Sequence, residues 1–459
     1  MVGVLWLVHA LAFMNISSFG ILAPFIKEDL HLSSLQIGFL ISALSIGASV
    51  SQMPAGLIVD FAGVRRMLTL AIGLIGLFLV LFSLAPSYAI ALMILLVYGM
   101  ANGIVGPAAS KSVLDWFPAV GRATAMGIKQ TGVNFGGIFA GLLLPTLAIF
   151  FSWRHSLLAV GLFEVVSAAL IYRLLQESPV RSDPPRAPIA WKKILQMAMQ
   201  RDMLILGGIA FCFMASQFCF STYLILFLTQ EMKYPIVQAG QYFALSFLIG
   251  AAGRILWSLA SDYFLAGRRK GILRLITLIL FFSSLALGMI SFFPALSPLL
   301  LTAVLAFGIS GIGWNAIYLT MVGEAVGKES TGLATGVGYS FGFLGSLICP
   351  PLFGLLVDQT EVYGYAWLLL TACAGAILVL LNLYKEKEKE TPPPQFTAQR
   401  FHGDDIVNRI KYQRIGLHRP ARYSARIHSG FRPTSPRRAA SIRSRAFCLP
   451  LGSLALTGR

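Results

Sequence analysis

The sequence predicts an all-α membrane protein, with twelve transmembrane helices in two pseudo-symmetric six-helix bundles. Of 459 residues, 56% are hydrophobic and 12% charged, whereas soluble proteins carry about 25% charged residues. Apolar runs near the roughly 20 residues that cross a bilayer recur along the whole chain. The second half also repeats landmarks of the first.

Taken in order, spans 2–26, 36–59, 67–85, 88–110, 123–150 and 155–175 make an N-terminal bundle over 1–175. The first run has no basic region before it and extends too far for a cleavable signal peptide. Residues 176–202 form the longest polar break in the array, reading ESPVRSDPPRAP and then WKKILQMAMQRD. Spans 203–228, 239–261, 272–293, 297–320, 332–356 and 364–384 follow as a C-terminal bundle over 203–384. A basic tail, 385–459, closes the chain and is expected to be a disordered cytoplasmic extension touching anionic lipid.

Charge placement sets the expected topology. Alternate loops on one side gather Arg65, Arg66, Arg122, Arg268, Arg269, Lys270 and the basic residues of the central loop. The other side has Lys27, Arg154 and Lys233. By the positive-inside rule both termini face the cytoplasm, in a plasma or inner membrane. The net charge of +17 is concentrated in the tail: residues 391–459 hold 12 Arg and 1 Lys against Asp404 and Asp405, so 13 − 2 = +11. Nucleic-acid binding does not follow from such a tail on a membrane anchor. Of five cysteines, Cys212, Cys219, Cys349 and Cys373 lie inside apolar runs, and no C-x-x-C pair suggests a metal. No catalytic or cofactor motif is present. GISGIG (308–313) lies inside a span and reads as close helix packing, not as a nucleotide loop.

The repeat is explicit. A shift of 209 carries Gly99 onto Gly308, Asp115 onto Glu324, Gly127 onto Gly336 and Gly136 onto Gly345, and a shift of 202 carries Asp60 onto Asp262. AGLIVDFAGVRR (55–66) and WSLASDYFLAGRRK (257–270) therefore end the second helix of each half. The aspartate can reach the next helix's N-terminus, and the arginines are expected to stay in water and fix the topology.

Together these features resemble the major facilitator superfamily over about residues 1–384. The family's loop after its second helix reads roughly G-x-L-x-D-R-x-G-R-R. Here Gly56, Asp60, Gly63, Arg65 and Arg66 stand in register, with Phe61 replacing an arginine. The second copy keeps Asp262, Arg268, Arg269 and Lys270, with Ser258 in place of glycine. GPAASKSVLDWFP (106–118), RATAMGIKQTGVNFGG (122–137), SWRHS (152–156) and GWNAIYLTMVGEAVG (313–327) are similar to the porters grouped with nitrate/nitrite and cyanate transporters, and less closely to oxalate/formate antiporters. The resemblance implies two bundles rocking around a central site. Spans 1, 4, 7 and 10 would line it, 2, 5, 8 and 11 flank it, and 3, 6, 9 and 12 lie outside. It also implies a monomeric secondary transporter, without cofactor, that moves a small anion with a coupling proton or in exchange for a second anion. A drug-type exporter and a non-transporting membrane sensor are the alternatives. The exporter motif G-x-x-x-G-P-x-x-G-G lacks its proline in GIKQTGVNFGG.

Two cations carry the anion reading. Arg254 precedes Asp262 by eight residues, about 12 Å into the membrane. Charges at that depth face a bundle interior or a wet cavity. The resemblance makes Arg254 a substrate-binding arginine; alternatively it holds the cytoplasmic gate. Lys129, about 10 Å deep, either enters the cavity or pairs with an acid such as Asp115. The nitrate porters' second arginine is replaced by Gln52, and the lysine position of oxalate-type porters is Gly338. Asn15, Asn102, Gln217, Trp314, Asn315 and Tyr318 complete the expected pocket, each with helix–helix hydrogen bonding as the simpler role. Glu164 is the carboxylate well inside a span and the candidate for coupling, against a structural hydrogen bond. Asp115, Arg122 and Glu324 are expected as gate salt bridges at cytoplasmic helix ends.

Overall fold

The computed structural model describes residues 1–117, 122–177, 191–263, 269–326 and 331–385. Of the expected motif residues, Arg268 lies outside these, and Gly56, Asp60, Arg122 and Asp262 lie outside the described side chains. The tail from 386 onward is likewise outside.

All regular structure among the described residues is helical. α1 is Val2–Ile21, α2 Ser34–Ala62, α3 Val64–Ser83 and α4 Tyr88–Trp116. The run Arg122–Leu174 is two spans, because Ser152 breaks it with φ 74°. The Ser152 hydroxyl accepts the His155 N–H at 3.5 Å, as an N-cap does. α5 is therefore 122–151 and α6 is 153–174. α7 is Arg201–Leu226, α8 Ile236–Tyr263 and α9 Arg269–Phe292. α10 occupies Pro294–Ala325, α11 Thr331–Thr360 and α12 Tyr363–Leu383. All twelve expected spans are present. The first is shorter than expected: Leu22 ends it, and Pro24 starts a separate helix, Ala23–Asp29. The central polar break also contains a short helix, Trp191–Ala198.

Contact registers fix the direction of each span. Gly132 and Gly136 lie on the Trp6 and Ala10 carbonyls, so α5 runs parallel to α1. Gly345 lies on the Phe211 carbonyl, the same relation between α11 and α7. Gly99 of α4 lies on the Leu44 carbonyl of α2, and Gly308 of α10 on the Ser246 carbonyl of α8. The 209 and 202 shifts thus superpose contacts as well as residue types, and any Cβ at Gly99 or Gly308 would strike backbone. The motif glycine Gly63 turns α2 into α3 at φ 85°, a conformation side-chain-bearing residues avoid. α3 packs antiparallel on α6, with Gly76 against Gly161, and α9 packs on α12 at the mirrored position.

The two halves meet along two antiparallel helix pairs. In α2–α11, the Ser42 hydroxyl lies on the Leu347 carbonyl and the Ser346 hydroxyl donates to Ser45 Oγ at 3.2 Å. Asp358 accepts the Ser34 and Leu35 N–H groups at 2.8 and 2.7 Å, capping α2 from the other half. In α5–α8, Gly141 meets Gly240, and Asn134 Nδ2 donates to the Phe247 carbonyl at 3.1 Å. Gly20 of α1 also touches Ser221 of α7. These contacts concentrate at the end where α1 passes to α2. Beside Asp358, burial draws the Lys27 ammonium below its ordinary pKa, and the aspartate partly offsets this.

Candidate functional site

Arg254 stands where the seam stops. Nη1 donates to the Gln130 carbonyl of α5 at 3.3 Å and Nε to the Ile312 carbonyl of α10 at 3.4 Å. One side chain therefore touches both halves. Ile312 ends a π turn, Gly308–Ile312, which interrupts α10 inside GISGIG; such turns recur at functional sites. Among the described residues, Arg254 has no carboxylate at ion-pair distance.

The wall beside Arg254 comes from α7, α10 and α11. Trp314 Nε1 donates to Gln217 Oε1 at 3.1 Å, and its ring stacks on Phe213 with centroids 4.7 Å apart. Tyr318 packs edge-on against Trp314 at 5.2 Å. Its hydroxyl lies over Gly338 and has no hydrogen-bond partner among the described residues. A side chain at 338 would displace that hydroxyl, a physical reason for glycine there. Tyr339, adjacent to Gly338, donates from its hydroxyl to Asn315 Oδ1 at 2.9 Å and faces Arg254. The sequence reading missed Tyr339. It also missed Asn134, because only the fold sets that side chain against Phe247 across the seam.

Lys129 is buried, 4% exposed, and donates to Ser110 Oγ of α4 at 3.1 Å, with His9 of α1 nearby. It thus turns into its own bundle, although the next residue, Gln130, receives Arg254. Of the two alternatives for Lys129, the pairing with Asp115 does not form: Asp115 pairs with Lys111, one helical turn away, at 3.8 Å. The repeat-equivalent Glu324 pairs with Arg269 of α9 at 3.6 Å. Gln52 is half-buried beside Gly106 on α4.

Glu164 is fully buried and faces Asn15 of α1 and Tyr98 of α4, with Asn102 beside Tyr98. Among the described residues, none of the Glu164 oxygens, the Asn15 amide atoms or the Tyr98 hydroxyl has a hydrogen bond of good geometry. This cluster is separate from Arg254. It joins peripheral α6 to two helices expected to line the centre.

Arg65 departs from the expectation that the loop arginines sit only in water. Its guanidinium stacks on Tyr172, 3.9 Å from the ring centroid, and Nε donates to the Tyr172 carbonyl at 2.6 Å. Arg66 is exposed, as expected.

Two six-helix halves in one direction pattern, joined by α2–α11 and α5–α8, have the architecture of a secondary transporter of small solutes. The chain belongs to the Major Facilitator Superfamily, whose sequence profile matches residues 5–346 and again 267–456. It is 26% identical over 394 residues to the hexuronate transporter of Bacillus subtilis, covering 83% of this chain and 92% of that one. It is 23% identical over 408 residues to a probable galactarate/D-glucarate transporter of the same organism, covering 82% and 89%. In fold it is similar to a bacterial homologue of the human lysosomal transporter Spinster in an inward-facing, unoccupied conformation, with a TM-score of 0.64, 16% identity, and coverage of 83% and 94%. The resemblance to nitrate/nitrite and cyanate porters is therefore corrected at branch level, since the relatives are sugar-acid transporters. Gln52 in place of the second arginine was the departure that bore on this.

Proposed function

We propose that the chain carries a sugar acid of the hexuronate or aldarate class, gripped at its carboxylate by Arg254. The observation that carries this is a half-buried guanidinium that, among the described residues, is bound to two carbonyls, one from each half, and to no carboxylate. A charge drawn part-way out of water inside the membrane without an opposite charge is costly, and an anionic solute supplies that charge. The names of the relatives support the substrate class. Asn315, Tyr339, Tyr318, Trp314 and Gln217 would frame the hydroxylated part of the solute and Gln52 would contribute from the first half, whereas Lys129 is held by Ser110 and Asn15 and Asn102 stay with Glu164. Glu164 is proposed to carry a coupling proton. Gly56, Asp60, Gly63, Arg65, Arg66, Asp115, Arg122, Asp262, Arg268 and Glu324 serve the gates at the other end.

Loop charges support cytoplasmic termini in the plasma or inner membrane. With that orientation, contact at the α1–α2 end corresponds to an inward-open monomer. Bundles 1–175 and 203–384, linked by 176–202, are the moving bodies.

The test is uptake of labelled hexuronate into proteoliposomes. Arg254→Gln should insert normally and lose about 30-fold or more in uptake, since truncating one member of a buried charged contact costs about 2–5 kcal/mol. Arg254→Lys should rescue poorly, because lysine lacks the planar fork that matches a carboxylate. Wild-type uptake in Arg254→Gln would remove the anion site and leave Arg254 as a gate residue.

A further inference from the structure

A second built feature lies on the lipid-facing side, away from the centre. Between α3 and α6 runs a groove of about 590 Å³. The two helices touch at Gly76 and Gly161. Toward the α2–α3 turn they leave a channel floored by the small residues Gly73, Ala168 and Ala169. Leu70, Leu77 and Val165 line it and stay exposed. From Thr69 to Leu77 it follows α3 for about 12 Å at 1.5 Å per residue. It therefore runs lengthwise, as an acyl chain would.

One end of the groove is chemically different. Tyr172 and Arg173 close it from α6. Arg66, one turn before Leu70, is exposed on the same face of α3 by helical spacing. Arg65, stacked on Tyr172, fixes the ring at the mouth. An exposed tyrosine at the end of an apolar groove marks the headgroup level, and basic pockets between membrane helices bind acidic headgroups. The described acid at this end, Glu177, lies over Gly63 at the start of α3.

We infer that this groove is a binding site for an anionic phospholipid, its acyl chain along Gly73 and Ala168 and its phosphate at Arg66 and Arg173. Charge complementarity and the apolar length select a lipid over a free anion. The site is independent of the central solute site.

The purified full chain, in neutral detergent, would be titrated with phosphatidylglycerol or with phosphatidylcholine of the same acyl chains. Thermal unfolding and retained lipid by native mass spectrometry are the readouts. Phosphatidylglycerol should bind saturably and stabilise, and phosphatidylcholine should not. R66Q and R173Q should each weaken phosphatidylglycerol binding about fivefold. Gly73→Leu should abolish it with every arginine in place. A Cβ at 73 meets only Ala168 Cβ at 3.6 Å, so that variant should fold. Equal retention of both lipids, unchanged binding in the variants, or full competition by inorganic phosphate would overturn the site. So would a lipid-insensitive dimer that Gly73→Leu dissociates, which would make the groove an interface between two copies.

Discussion

At Arg254 the proposed solute carboxylate would compete with the protein's own backbone. The guanidinium has five N–H donors, and the two it commits reach their carbonyls at 3.3 and 3.4 Å, longer than the usual 2.7–3.2 Å range. Hydrogen bonds that long are exchanged at small cost for the shorter, two-pronged pair that a carboxylate accepts. Glu164 presents the opposite case, an acid buried among neutral neighbours. Glu164→Gln keeps the volume and removes the carboxyl proposed to carry the coupling proton. Hexuronate uptake driven by an inward proton gradient should then fall to background, while hexuronate–hexuronate exchange without a gradient continues. Loss of both activities, or of neither, would leave Glu164 with a packing role. Arg254, Lys129 and Glu164 were legible in the sequence because a charge inside an apolar run stands out on its own. Tyr339 was not, since a tyrosine in a span is unexceptional until the fold aims it at Asn315 and Arg254. The direction of Lys129 was also hidden, because a helical position gives depth but does not choose between two neighbouring helices.

At the scale of elements, the glycines set the spacing. Gly308 lets α10 rest on the Ser246 carbonyl, and the π turn that starts there ends at the Ile312 carbonyl that Arg254 uses. Gly308→Leu should overpack this crossing by about 1–3 kcal/mol or more. A lowered unfolding temperature, together with weaker hexuronate binding by the folded fraction, would be the signature. An unchanged temperature would show that α10 can move aside. The twelve spans and the 209 and 202 offsets could be read from hydropathy and residue identity, since both are local or periodic. The π turn could not, because glycine and serine are compatible with several helix types. The cap of α2 by Asp358 joins positions 324 apart, and no short-range pattern encodes it.

At the scale of the molecule, alternating access requires the α2–α11 seam to part. Ser45 and Ser346 face each other across it with oxygens 3.2 Å apart. A Ser45→Cys/Ser346→Cys pair, with Cys448 replaced, should cross-link under mild oxidation and stop transport, and reduction should restore it. Continued transport by the cross-linked protein would mean that the halves do not separate there.

The make-up of that seam has a further consequence. Its described contacts are carbonyls, serine hydroxyls and the Asp358 carboxylate, which is held on two backbone N–H groups with the Lys27 ammonium beside it. Mobile ions act on separated full charges, with a Debye length that falls from about 30 Å at 0.01 M to about 3 Å at 1 M salt. Short dipolar contacts inside a close-packed interface offer such ions little purchase. The α2–α11 contacts themselves should therefore be nearly indifferent to ionic strength, so that any salt-driven shift between the two orientations reports the charged gates at the other end, while capture of the charged solute weakens as salt rises. Cysteine accessibility at position 45, measured across that salt range beside the apparent affinity for hexuronate, would separate the two responses.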